Sequence, residues 1–120
     1  MATSKTNGRN TPPKKVKVLY TTYDVVVTPL NEWNPEPDLP LYGQVEWDKQ
    51  TIFLDSAQSL DTMRETLWHE IKHIAWQYAG LPKSIYYGGR TEEEDIVNRL
   101  SVAELTILKE NPELLKFLLG

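Results

Sequence analysis

The residues best equipped for chemistry stand in one short run, His69-Glu70-Ile71-Lys72-His73, and the chain of 120 residues has no other histidine. On a helix of 3.6 residues per turn, positions 69 and 73 lie about 40° apart around the axis, and position 70 lies about 60° from 73. Two imidazoles and a carboxylate can therefore look into one cleft. Neutral imidazoles at this spacing suit zinc, and the intervening carboxylate is left free to move protons. Such a carboxylate takes a proton from water and returns it to a departing amine, while zinc lowers the water's pKa towards ~7 and polarises a carbonyl. The competing reading is a surface helix on which two histidines happen to fall one turn apart. The intervening Glu70 and the flanking apolar stripe favour the metal reading.

The pair alone leaves a zinc sphere unfilled. The chain contains no cysteine, so a third protein ligand must be a carboxylate. Glu92, Glu93, Glu94 and Asp95 are the concentrated candidates, at the opening of a second helix. Thr91-x-x-Glu94 also reads as a capping box, and acids in a first turn suit the helix dipole. By spacing alone, Glu94 fits either role. Tyr86 and Tyr87, on the loop between the helices, could donate to a developing oxyanion or simply pack. Trp68 and Trp76 are expected to pack the core, with no part in chemistry.

The run needs a helix to carry it. Ser59 or Asp61 can cap one that reaches about Ala79, with Met63, Leu67, Ile71, Ile74 and Tyr78 on its core face. Gly80-Leu81-Pro82 stops it. Upstream, the alternation Val16, Val18, Tyr20 and the run Tyr23 to Val27 read as strands. Pro29, Pro35, Pro37 and Pro40 make residues 29–40 a loop. Residues 41–47 and 51–54, separated by Asp48-Lys49-Gln50, form a hairpin signal, with Val45 and Trp47 on one face and Gln44 and Glu46 on the other. Downstream, a second helix opens at Thr91 with the stripe Ile96, Leu100, Ala103, Ile107. Asn111-Pro112 ends it and begins a short helix through Leu118. Strands followed by helices give an α+β class, expected here as a small antiparallel sheet, an active-site helix, a glutamate helix and a short C-terminal helix.

Length and composition bound the rest. The chain is of single-domain size, and a hydrophobic fraction of 40% with four tryptophans argues for a folded globule. No leader and no run of membrane-spanning length is visible, so a cytoplasmic location is expected. The net charge of −4 is unevenly spread. Lys5, Arg9, Lys14, Lys15 and Lys17 face no acid within residues 1–17, which leaves about −9 on the remainder. Residues 1–15 are expected as a disordered basic arm and residues 16–120 as one domain. A basic arm could touch nucleic acid, but the acidic body offers it no binding face.

From Tyr42 to about Leu100 the chain resembles the small gluzincin-type zinc metallopeptidases of the ImmA/IrrE group, including compact phage-encoded versions. The resemblance is carried by Tyr42-Gly43, Ile52-Phe53-Leu54, Thr66-Leu67-Trp68-His69-Glu70-x-x-His73 and Glu93-Glu94-x-Ile96-Val97. It implies a minimal zincin-like fold with one Zn²⁺ per chain, His69 and His73 as ligands and Glu70 as catalytic acid/base. It also implies Glu94, rather than Glu93, as third ligand and Asn98 as outer-shell partner of a ligand histidine. A protein or peptide substrate, such as a regulator or repressor, follows from the same resemblance. The chain departs from the pattern in three ways. Its second-helix wording, Glu94-Asp95-Ile96-Val97-Asn98-Arg99-Leu100, keeps only the acid and the amide; Lys72 replaces a common glycine; and 120 residues leave no room for a helix-turn-helix domain. The small size and basic arm also motivate a different function, a catalytically silent zincin-fold binding module from a phage or mobile element that sequesters a host protein. Hydrolysis of a non-peptide amide would use the same machinery.

Overall fold

The computed structural model describes residues 7–80 and 90–120, without the side chains of residues 7, 8 and 90–93. Its elements are α1 (Asn7–Asn10), β1 (Lys15–Val18), β2 (Thr21–Thr28), β3 (Gly43–Glu46), β4 (Thr51–Asp55), α2 (Leu60–Tyr78), α3 (Arg90–Glu110) and α4 (Pro112–Leu119). An α+β arrangement results: a four-stranded sheet first, then three helices longer than α1.

The sheet is mixed, not antiparallel as expected. Its order is β1-β2-β4-β3; β1 pairs antiparallel with β2 and β3 with β4, but β2 and β4 run parallel. The expectation assumed that consecutive strands lie side by side. Here the proline-rich segment carries the chain past the neighbouring position to the sheet's far edge, and the β3–β4 hairpin then inserts β4 beside β2. Side-chain chemistry explains the choice. Thr51, Ile52, Leu54 and Asp55 of β4 are all buried, whereas β3 carries Gln44 and Glu46, which suit an edge.

One face of the sheet and the helices enclose the core. Val16, Val18, Tyr23, Ile52 and Leu54 meet Met63, Leu67, Ile71 and Ile74 of α2, with Ala103, Ile107, Leu114 and Phe117 from α3 and α4. The α2 stripe read from the sequence is the one buried, with Tyr78 packed partly against the core. On α3 only Ala103 and Ile107 join it, while Ile96 and Leu100 are half-buried outside the cluster. Of the first strand alternation Val16 and Val18 are buried, but Tyr20 is exposed beyond the end of β1. Two carboxamide and guanidinium ties close the ends. Asn111 accepts from Lys17 N–H (2.8 Å) and donates to Lys17 O (2.8 Å) and Ile107 O (2.7 Å), fixing the α3–α4 junction to β1. Arg64 donates to Phe117 O (2.8 Å) and Arg9 O (2.7 Å). Within the segment expected as a disordered arm, residues 7–10 form one helical turn beside α4, and β1 starts at Lys15; residues 1–6 lie outside the described residues. Among the described residues no helix is long and apolar enough to cross a membrane.

Candidate metal centre

Helix α2 is locally well specified. Ser59 caps it, its side chain accepting from Thr62 N–H (3.2 Å), and Asp61 complements the dipole in the first turn. Gly80 follows the Ala79 cap with φ of +75°, a left-handed conformation that glycine adopts without a Cβ penalty. The apolar stripe turns inward and leaves His69 and His73 on the exposed side.

The two imidazoles converge. Their Nε2 atoms are 3.1 Å apart and the rings meet edge to face with centroids 4.6 Å apart. At the zinc–nitrogen distance of about 2.0–2.1 Å, nitrogens 3.1 Å apart subtend roughly 100° at one ion, near the tetrahedral value. The spacing, which in the metal-free chain is that of a hydrogen bond between the two rings, is thus also one that a shared zinc ion can span.

Glu70 takes the opposite environment. It is 9% exposed, tucked between α2 and the edge strand β3. Burial pushes its carboxyl above the ordinary glutamate range, with the His69 and His73 imidazoles pulling it back down. The close approach of β3 depends on Gly43. A Cβ there would stand 2.6 Å from Thr66 Cγ2, 3.1 Å from Glu70 Oε2 and 3.2 Å from Glu70 Cγ. Gln58 holds the two layers in place: its amide donates to Tyr42 O (2.9 Å) and Asp55 O (3.0 Å) and its oxygen accepts from the Thr66 hydroxyl (2.9 Å). A cleft of about 360 Å³ results, walled by Pro40, Leu41, Tyr42 and Gly43 on one side and Glu65, Thr66, His69 and Glu70 on the other.

The expected third ligand is not brought to this place. Among the described residues, no group of three His, Asp or Glu side chains is close enough to hold one ion. Glu94 is exposed on α3. The helix register gives the reason. Arg99 donates to Ala79 O (3.4 Å) and Lys72 pairs with Glu104 (3.2 Å), so α3 runs antiparallel to α2 with residue 104 near the level of His73. Ten residues at 1.5 Å each put Glu94 roughly 15 Å further along the axis, past the end of α2. Asn98 stands at that same end, lining a separate apolar cleft with Leu19, Ala79 and Val102, away from the imidazole it was expected to orient. Tyr86 and Tyr87 lie outside the described residues, as do Glu92, Glu93 and the Thr91 cap at the level of side chains.

Gly43, Thr66 and Gln58 shape the carboxylate's pocket; Gly43 and Thr66 entered the sequence reading only as part of the family resemblance, with no role assigned, and Gln58 did not enter it. A glycine inside a β-branched and aromatic run was the available signal, since it marks a close backbone approach. No protein-family model, curated protein or solved structure matches the chain.

Proposed function

We propose that this protein is a zinc-dependent metallopeptidase, with His69 and His73 holding one zinc ion per chain and Glu70 serving as general acid/base. The observation that carries the reading is the convergence of the two Nε2 atoms at 3.1 Å, with His69 lining an open cleft together with the buried Glu70. When bound, zinc supplies a Lewis acid for the scissile carbonyl and a water of lowered pKa. Glu70, seated against Gly43, takes a proton from the attacking water and returns it to the leaving amine. Burial raises its carboxyl pKa, the direction that suits a group which must both accept and donate a proton. The outer edge of β3 borders the cleft, so an extended chain paired there lies alongside Glu70. A minimal zincin-like fold is part of the same proposal. It is supported by this arrangement of sheet edge against motif-bearing helix.

Glu94 as third ligand is the part that the helix register does not support. Zinc titration of Glu94→Gln decides it. With α3 in the register described, zinc affinity stays within about twofold; a loss of about tenfold or more, the scale on which even outer-shell partners act, makes Glu94 a ligand.

The absence of a third ligand among the described residues also favours a second reading, a zincin-fold module that binds a partner protein without cutting it. Glu70→Gln separates the two. A peptidase keeps its zinc and loses about 10²–10⁴-fold of its hydrolytic rate, whereas a binding module keeps its biological effect.

A further inference from the structure

The sheet has two open sides, and the chain treats them differently. In antiparallel pairs, residues alternate between bonding their partner strand and pointing N–H and C=O outward. Val25 N–H bonds Lys14 O (2.8 Å), so residues 14, 16 and 18 face β2 and Lys15 and Lys17 face out. Asn111 occupies the outward groups of Lys17 with its carboxamide, N–H to Oδ1 and Nδ2 to O, in the manner of a neighbouring strand. Among the described residues nothing outside the sheet bonds the backbone of Lys15, whose charge guards that position of the edge instead.

On the β3 side, Asp55 N–H bonds Tyr42 O (2.9 Å), so residues 42, 44 and 46 face β4 and Leu41, Gly43 and Val45 face out. Leu41 receives the same treatment as Lys17. Its N–H donates to Asn31 Oδ1 (2.8 Å) and its carbonyl accepts from Asn31 Nδ2 (3.0 Å). Asn31 is itself held, because Asn34 donates to its Oδ1 (3.0 Å) and to Leu39 O (3.1 Å). Among the described residues, nothing outside the sheet bonds the backbone of Gly43 or Val45. The open stretch spans about 7 Å, two pairing positions at 3.4 Å per residue, and it begins at the glycine that covers Glu70.

We propose that Asn31 is a positioning residue that ends the pairing edge at Leu41, so that an extended peptide docks only on Gly43 and Val45 and passes Glu70 in one register. This deepens the peptidase reading and rests on it for the identity of the occupant. Loss of the carboxamide exposes Leu41 and adds a register displaced by two residues, because side-chain direction repeats every second position. A displaced register is a non-productive one. With both equally occupied, kcat and KM each fall about twofold while kcat/KM is unchanged.

The test uses the full chain and a pool of end-blocked, proline-free random decapeptides. In amide NMR titrations of Glu70→Gln, the pool is expected to perturb Gly43 and Val45 and spare Leu41; adding Asn31→Ala extends the perturbation to Leu41. In zinc-loaded enzyme with one peptide from the pool, Asn31→Ala lowers kcat and KM together, and Asn31→Asp, which retains the acceptor for Leu41 N–H, falls between. Trp33→Ala, at the exposed tip of the same loop, changes neither. The proposal is overturned if the pool leaves Gly43 and Val45 unperturbed, or if Asn31→Ala and Asn31→Asp both leave Leu41 protected and the kinetics unaltered. Docking at Gly43 and Val45 without cleavage contradicts the peptidase reading and leaves the stop at Leu41 standing. Cleavage with docking elsewhere does the reverse.

Discussion

At the scale of single residues, the centre is a contrast between two exposed imidazoles and one buried carboxylate on adjacent positions of a helix. The contrast follows from angle: Ile71 and Leu67 face the core, Glu70 turns beneath β3, and the histidines stay outside. Burial makes Glu70 a destabilising charge in the metal-free chain. Its folded-state pKa lies above the unfolded one, so its contribution to stability is full below about pH 4, the ordinary carboxyl range, and is lost as pH rises through the raised value. Metal-free Glu70→Gln should therefore melt close to the wild type in acid and increasingly above it towards neutral pH, as read by thermal denaturation across pH. Gly43→Ala forces a Cβ to 2.6 Å from Thr66 Cγ2 and should cost about 1–3 kcal/mol. Thr66→Ser removes that methyl and keeps the hydroxyl that bonds Gln58, so the double variant should recover part of the loss in urea unfolding.

At the scale of elements, what depended on local chemistry was legible in the sequence. Ser59 and Gly80 bracket α2, Asn111-Pro112 separates α3 from α4, and the β3–β4 hairpin forms with Val45 inward. Strand order was not legible, because whether β3 or β4 lies beside β2 is decided by which strand has two faces to bury, a non-local competition. The level of Glu94 relative to His73 escaped for the same reason. Spacing along α3 says nothing about where Lys72–Glu104 and Arg99–Ala79 set the helix against α2. The asparagine edge caps left no sequence signal at all, since a lone Asn in a loop does not reveal which backbone it pairs with. Asn111→Ala tests their weight. It leaves outward groups of Lys17 and the carbonyl of Ile107 without this partner, and about 1–3 kcal/mol of stability should disappear in chemical denaturation.

At the scale of the whole molecule, the segments at Arg9 and Phe117 are both tied to the helix that carries the motif. Arg64, five residues before His69, binds the carbonyls of Arg9 and Phe117 and lies 5.4 Å over the Phe117 ring. Arg64→Ala should release α1 and α4 together, seen as a lower melting temperature and faster amide exchange in both, while zinc uptake at His69 and His73 persists in the folded fraction. The sheet then has one edge guarded by Asn111 and the Lys15 charge, one edge stopped by Asn31, and the cleft beside the opening. The proposed zinc peptidase activity is tested most directly by a side-by-side digestion of the decapeptide pool by zinc-loaded wild type and Glu70→Gln, with metal content measured in both. One zinc per chain is expected in each, with products from the wild type alone. Absence of zinc from both proteins, or equal products from both, would contradict it.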